Sequence, residues 1–433
     1  MKFDMSAMNH HHVPNPFRRG GSMNRIISLI FLSAALILAV SAAQSQAQRG
    51  GAAVVLPDGI GKDLVSTTCS QCHALNLVTN AGYSREEWPM VFGGMVKLPA
   101  DQTVTVTDYL AKNFPEKPKP QAVIVAGNAK VGMKEWVVPS LGSRPHDPLA
   151  TADGSIWWTG QWANVLGRLN PKTGEMKEFP LKTPQSGPHG LAEDKDGNIW
   201  YTGNSAGLIG KLNPKTGELT EYKMPDPAAR DPHTPLFDKN GMLWFTLQNS
   251  NMVGRLNPAT GEIKLATAPT PRTNPYGMVI DSKGTPWFVQ FGVNKLASID
   301  PNTMAIKEYT LPNAATRPRR IAITGGDVLW YADYSRGYLG RFDTKTGAVK
   351  EWPSPGGPQS QPYGIVGLKD VIWYSESGVS PNTLVRFDPK TEKFQTWTIP
   401  SGGGVVRNMM ATKDGNLVLA CSGRNRVALV EIK

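Results

Sequence analysis

An all-β seven-bladed β-propeller preceded by a small all-α domain is the fold class that this sequence predicts, on three observations. Tryptophan recurs at Trp157, Trp200, Trp244, Trp287, Trp330 and Trp373, at spacings of 43, 44, 43, 43 and 43 residues, and Leu417 continues the series after a further 44. Turn residues recur in phase with it, as Asp-Gly pairs such as Asp196-Gly197 before the tryptophan and Pro-x-Thr-Gly runs such as Pro214-Lys215-Thr216-Gly217 after it. Ahead of the repeat, residues 48–114 carry apolar side chains at helical spacing instead. A period of about 40–45 residues is that of one four-stranded propeller blade. The 44 glycines and 35 prolines are therefore read as turns of an ordered chain, and 433 residues exceed what one ordinary compact core needs.

Taken in order, the chain opens with an address. Asn24 and Arg25 lead into an almost wholly apolar run from Ile26 to Val40 and then into the small residues 41–47, the pattern of a secretory signal. Residues 1–47 are assigned to that signal peptide with an upstream extension before Met23, and Ala47 or Ala43 suits the cleavage. The run is short for a bilayer-spanning helix, so no stable membrane span is expected after cleavage. His10-His11-His12 would leave with the discarded segment. The expected location is periplasmic or secreted.

Residues 48–114 follow, with a short helix around Leu64 and Val65 that runs into Cys69-Ser70-Gln71-Cys72-His73. In a C-x-x-C-H run two thiols one helical turn apart can add to the two vinyl groups of a haem, while the adjacent imidazole takes the iron. A structural zinc site would need a second Cys or His pair nearby, and a thioredoxin-type dithiol would need a βαβ pattern around it; the sequence offers neither. Cys421 is the third of only three cysteines, so no disulfide framework exists and it reads as a small buried strand residue. Ser84 and Glu87 have the spacing of a capping box and open a second helix with Trp88, Val91, Phe92, Met95 and Val96 on one face. Asp101 is read as the cap of a third, carrying Val104, Val106, Tyr109, Leu110 and Phe114. So small a core is marginal, and a covalent haem c would fill much of it. The stretch Leu64–Phe114 resembles the small class I c-type cytochromes fused to periplasmic oxidoreductases. That resemblance implies a methionine as second axial ligand, with Met95 in the matching position and Met90 as the alternative. The all-α domain is accordingly expected to be cytochrome c-like, with Cys69, Cys72, His73 and Met95 holding the haem and its iron.

Residues 115–127 alternate proline and charge as Pro115-Glu116-Lys117-Pro118-Lys119-Pro120 and are read as an extended, semi-rigid linker. Residues 128–433 are the propeller. The last repeat stops after its third strand, whereas Lys134-Glu135-Trp136-Val137 resembles the outer strands Lys177-Glu178-Phe179 and Glu351-Trp352 without three strands before it. The N-terminal strand is therefore expected to pair with the last blade and close the ring, covering two sheet edges. The Asp-Gly and Pro-x-Thr-Gly turns then share one face. The inner-strand starts share the other, where His146, His189, His233, Tyr276, Arg319, Tyr363 and Arg407 converge on one mouth. Gln161, Trp162, Gln248, Asn249, Gln290, Asp333, Tyr334 and Glu376 are expected beside them. The ring can serve as a binding site or simply plug the channel with its own hydrogen bonds.

The recurring Pro-His-Gly-Leu, Asp-Gly-x-Ile-Trp-Tyr-Thr and Leu-Gly-Arg-Leu-Asn-Pro-x-Thr-Gly elements resemble the virginiamycin B (streptogramin) lyase family across the whole propeller. That resemblance implies metal-assisted elimination on a cyclic depsipeptide, with a histidine base and an acid-Pro-His element late in the chain. Here Tyr363 and Val405-Val406-Arg407 stand at those late positions. A similar arrangement occurs elsewhere on the ring, where His189 is followed one blade later by Asp231-Pro232-His233. In a rotated site His233 would be the general base, and Asp231 and His189 would position substrate or a divalent metal such as Mg. A periplasmic haem-dependent dehydrogenase and a non-catalytic binding module are the competing classes. Quinone-binding propellers, in contrast, usually have eight blades and carry tryptophan after the Thr-Gly turn. Electron transfer through covalent haem is the function the residues favour, with a redox partner protein or a small-molecule substrate at the propeller. The net charge of +11 suits an acidic partner or an anionic ligand, and no arginine-rich run concentrates it, so nucleic acid is not expected.

Overall fold

The computed structural model describes residues 54–70, 75–85, 87–93 and 96–433. The signal segment, Cys72, His73 and Met95 lie outside the described residues, and so does the side chain of Met90. Among the described residues four helices precede the strands: α1 (Lys62–Cys69), α2 (Asn76–Thr79), α3 (Glu87–Gly93) and α4 (Ala100–Asn113). No described helix is long and apolar enough to cross a membrane. Helices stand at the three expected positions and α2 is an additional short one, but α3 ends at Gly93, before Val96, and Val104 on α4 is exposed. Ser84 accepts from the Trp88 backbone through its carbonyl. Asp101 lies inside the first turn of α4, where Pro99 occupies the cap position without a side-chain bond. A capping proline contributes no donor of its own, and Asp101 instead favours the positive end of the helix. Leu56, Val65, Val78, Trp88, Phe92, Val106, Tyr109 and Leu110 form one buried cluster between the helices.

Twenty-eight strands make seven antiparallel sheets of four. Their inner strands are β2 (Pro145–Ala150), β6 (Pro188–Glu193), β10 (Pro232–Phe237), β14 (Pro275–Ile280), β18 (Pro318–Thr324), β22 (Pro362–Leu368) and β26 (Val406–Ala411), and each blade runs outward from its inner strand in chain order. The seventh is closed as expected: β1 (Val131–Val137) pairs antiparallel with β28 (Arg426–Ile432), setting Trp136 opposite Val427. The buried clusters of the ring bridge neighbouring blades, as where Leu149 and Trp157 of the first meet Leu191 and Tyr201 of the second. The cohesion of the ring is therefore hydrophobic packing between sheets.

The recurring residues have local reasons. The indole N–H of Trp200 donates to Asp194 (2.8 Å) and that of Trp244 to Asp238 (2.9 Å), tying each second strand to the carboxylate that organises its own turn. The glycine of the Leu-Gly-Arg-Leu element faces the next aromatic: a Cβ on Gly167 would lie 1.9 Å from the Trp158 ring, and one on Gly210 2.0 Å from Tyr201. By register the seventh counterpart of the tryptophans is Val418, opposite Met410 and Leu429, and Leu417 is its neighbour. Cys421 ends β27 (Leu417–Cys421) fully buried, and burial pushes its thiol up.

The linker is extended but not a free spacer. Gln121 makes a parallel bridge to Ser380, the Val125 N–H donates to Thr396 Oγ1 (2.7 Å), and that hydroxyl donates to the Val123 carbonyl (2.6 Å). Residues 120–122 thus lie on the loop at Ser380 and residues 123–125 on Thr396 of β25 (Lys393–Thr398), the outer strand of the sixth blade. An open strand edge offers unpaired backbone groups, which is what draws the linker onto it.

Candidate functional site at the propeller mouth

The mouth is built by a repeated irregularity. In every inner strand the pairing register shifts after the first residue, between Pro145 and Pro148, Pro188 and Leu191, Pro232 and Pro235, and onward round the ring to Val406 and Met409. Such a bulge leaves its extra residue outside the ladder and re-aims it. The residues in the bulges are His146, His189, His233, Tyr276, Arg319, Tyr363 and Arg407, so the ring expected from the sequence is formed. Second-strand hydroxyls fix its spacing. Thr159 accepts from the Asp147 N–H and donates to the His189 carbonyl (2.8 Å), and Thr202 does the same between Gly190 and His233 (2.9 Å).

The rings stack round the channel. Centroids of His146 and His189 lie 3.6 Å apart, those of His189 and His233 3.8 Å, and those of His233 and Tyr276 3.8 Å. The Tyr276 and Tyr363 hydroxyls share a 2.6 Å hydrogen bond, and Arg319 lies over the Tyr363 ring at 3.9 Å. Burial, reinforced by neighbouring imidazoles and arginines, holds all three histidines well below their ordinary range, so they are neutral. For Tyr363 burial works upward, but Arg319, Arg407 and Arg320 outweigh it and draw the phenol down.

Beneath the stack lies a buried ionic network that the repeat analysis did not single out. Asp147 accepts from His146 Nδ1 (2.8 Å), Arg320 Nη2 (2.8 Å) and Asn408 Nδ2 (2.9 Å), and Arg320 Nη1 reaches Thr234 Oγ1 (3.2 Å). The even-numbered blades have Gly190, Gly277 and Gly364 at this position, where a Cβ would lie 2.2 Å from Pro235, 2.9 Å from Arg320 and 3.1 Å from Asn408. The other four carry Asp147, Thr234, Arg320 and Asn408. The signal in the sequence was thus the breakdown of Pro-x-Gly into Pro-x-polar on alternate blades.

This geometry bears on the three residues proposed for a rotated catalytic site. His189 and His233 are adjacent, as expected. Asp231 is turned to other work: its Oδ2 accepts from the Asn249 backbone (2.7 Å) and side chain (2.6 Å) and its Oδ1 from Ser250. Among the described residues the three groups close enough to share a metal are His146, Asp147 and His189. Asp147 is already matched by the Arg320 guanidinium, so a dication there would compete with a buried arginine. The neighbouring loop residues serve the scaffold. Glu376 accepts from Ser354, Gly356 and Thr383, Gln290 donates to Glu308, and Asp333 pairs with Arg336.

The helices lie against this same mouth. A cavity of about 290 Å³ opens at the seam. One wall comes from the helical region, with Cys69, Val78, Trp88, Val91, Phe92, Val96 and Leu110, and the other from the first and last blades, with Arg144, Trp162, Arg407 and Arg424. Helix α3 packs on the 3₁₀ turn Ser422–Arg424. Arg144 stacks on Trp162 with its guanidinium 4.5 Å from the ring centre. Burial, with the Arg407 charge beside it, pushes the Arg144 side chain down to about 9, a measure of how poorly that charge is compensated.

Comparisons with known proteins agree with the ring. A streptogramin B lyase structure is 28% identical and superposes with a TM-score of 0.64 over 70% of this chain and 98% of that one. The selenomethionine-substituted virginiamycin B lyase from Staphylococcus aureus gives 24% identity and 0.63, over 70% of this chain and 99% of that one. A catalytically inactive variant of the Staphylococcus aureus enzyme, solved with quinupristin, gives 23% and 0.63 over the same shares. No curated protein matches the chain. Residues 121–366 match the Virginiamycin B lyase family, and with the seven-bladed ring, its Pro-led bulges and its repeated turns, the chain belongs to that family.

Proposed function

We propose that this protein is an exported haem-carrying redox protein, a c-type cytochrome module docked on the mouth of its lyase-family propeller. The observation that carries the reading is the seam cavity, whose apolar wall contains the half-buried Cys69 at the end of α1. At about 290 Å³ it is near the lower bound, about 300 Å³, of ordinary cofactor and ligand sites. Its make-up fits the group: aromatic and aliphatic side chains suit a macrocycle, and a cysteine at a helix end suits a thioether. Cys69 and Cys72 would hold the haem, with His73 and Met95 on the iron. Bound haem would supply one-electron chemistry between its ferric and ferrous states. Around it, Trp88, Phe92 and Leu110 exclude water, and low polarity near a redox centre is one of the means by which a protein sets its potential.

The test is maturation in a periplasm that attaches c-type haem. The expected result is one haem iron per chain that survives denaturation, lost in a Cys72→Ala variant. A folded protein with free thiols at Cys69 and Cys72 and no haem would refute the reading.

A second reading, favoured by family membership, is elimination on a streptogramin B-type depsipeptide, with His233 as base. A neutral, buried imidazole of low basicity removes a carbon-bound proton poorly, and His233 Nε2 is buried without a partner. Linear product formed by the protein and abolished in His233→Ala would establish this activity; no turnover would exclude it.

A further inference from the structure

We infer that the propeller, and not the helical module, supplies the carboxylate end of the haem site: Arg144, Arg407 and Arg424 hold the two propionates, so that one cofactor is shared across the seam. This rests on the haem reading above. The argument begins with charge. Three guanidiniums line the cavity and, among the described residues, no Asp or Glu does. Among the described residues, neither Arg144 nor Arg407 has a carboxylate within ion-pair distance, and Arg407 Nε is buried without an acceptor. The acids of the mouth are committed elsewhere, Asp147 to Arg320, Asp333 to Arg336 and Glu376 to three neutral donors. Guanidiniums removed from water without a counter-charge are costly, so Arg144 and Arg407 together are built for an anion.

The shape of the cavity says which anion. Haem has its vinyl groups at one edge and two carboxylates at the opposite one, and the cavity has a cysteine-bearing apolar wall on one side and the arginines on the other. Arginine binds a carboxylate through two parallel N–H groups. Arg144 is already oriented for this by Trp162, and its backbone N–H donates to Asn425 (3.3 Å), which joins the first blade to the last. Two propionates would bring two negative charges to three positive ones.

The experiment uses the full-length holoprotein and reads the haem midpoint potential at fixed pH and ionic strength. Covalent haem content is measured first, because its absence would defeat the underlying reading and not this inference in particular. With haem attached, Arg407→Gln and Arg144→Gln should each lower the ferric-to-ferrous equilibrium constant by roughly three- to tenfold, tenfold being about 59 mV for one electron. Removing a positive charge beside the propionates favours the ferric form. Arg407→Lys, which keeps the charge, should shift it less and guards against misreading a folding defect. An unchanged potential in the folded double variant would overturn the inference. A wild-type potential that moves with added inorganic phosphate, with loss of that response in the variants, would also overturn it, since the arginines would then serve an exchangeable anion.

Discussion

Asp147 is the residue on which the mouth depends most. It is the only carboxylate within ion-pair distance of Arg320 among the described residues, and both side chains are almost wholly buried, at 3% and 4% exposure. Replacing it by Ala leaves a guanidinium unpaired in the core, and breaking such a pair costs about 3–5 kcal/mol. Asp147→Ala should therefore destabilise the propeller by that amount in urea unfolding, and adding Arg320→Leu should recover most of it. Asp231 makes the opposite kind of prediction. Burial raises its carboxyl to about 6, against hydrogen bonds from Asn249 and Ser250 that lower it. The folded state then holds a proton that the unfolded chain, at about 4, has released. Stability contributed by this group is present below about pH 4 and is lost as pH rises through about 6, by about 3 kcal/mol. Unfolding of Asp231→Asn followed over pH 4–7 should lack this component.

Among the elements, the outer strands share a latch. Glu178 accepts from Ser140, Glu221 from Thr183 and Glu308 from Thr270, each tying a blade's outer strand to the loop that enters that blade. Glu135 does the same for Ser401, and there it holds the closing strand β1 on the seventh blade. Glu135→Ala should cost about 1–3 kcal/mol and speed amide exchange first in β1 and β28. Burial raises Glu308, but bonds from Lys295, Thr270 and Gln290 outweigh it and hold the carboxyl at about 2. Its contribution, cut by solvent screening to about 1–2 kcal/mol, is complete above the unfolded value near 4.5 and disappears as pH falls through 2. Glu308→Gln should flatten the acid limb of the stability curve. The latch also explains why the ring closure was legible: the Lys-Glu-aromatic pattern of β1 repeats because the glutamate has the same task in the first, second, fourth and seventh blades. Blade count and the inward ring followed from periodicity in the same way. The Asp147–Arg320–Asn408 network did not, because its members come from blades one, five and seven and meet only across the channel. Nor did the docking of the linker, since strand-edge pairing by a proline-rich segment leaves no periodic trace.

At the scale of the whole molecule, helices and ring are held together by a short covalent path that is itself docked. Thr396 donates to and accepts from the linker backbone at Val123 and Val125. Thr396→Val should release that segment, seen as faster protease cleavage within residues 115–127 while the propeller's melting is little changed. The position of the haem motif was evident in the sequence; what it would face was not, because Arg144 lies beyond the linker and Arg407 and Arg424 are separated from Cys69 by most of the chain.

Ring closure by β1 also imposes an order in time. The helical region and β1 are made before the six blades that follow, yet the strand that β1 pairs with, and the 3₁₀ turn against which α3 packs, are made only after those blades. During synthesis the apolar wall around Cys69 therefore stands open, and it is roofed only when residues 404–425 arrive. A bulky group can be attached while access is wide, and the folding of the seventh blade then shuts the door behind it.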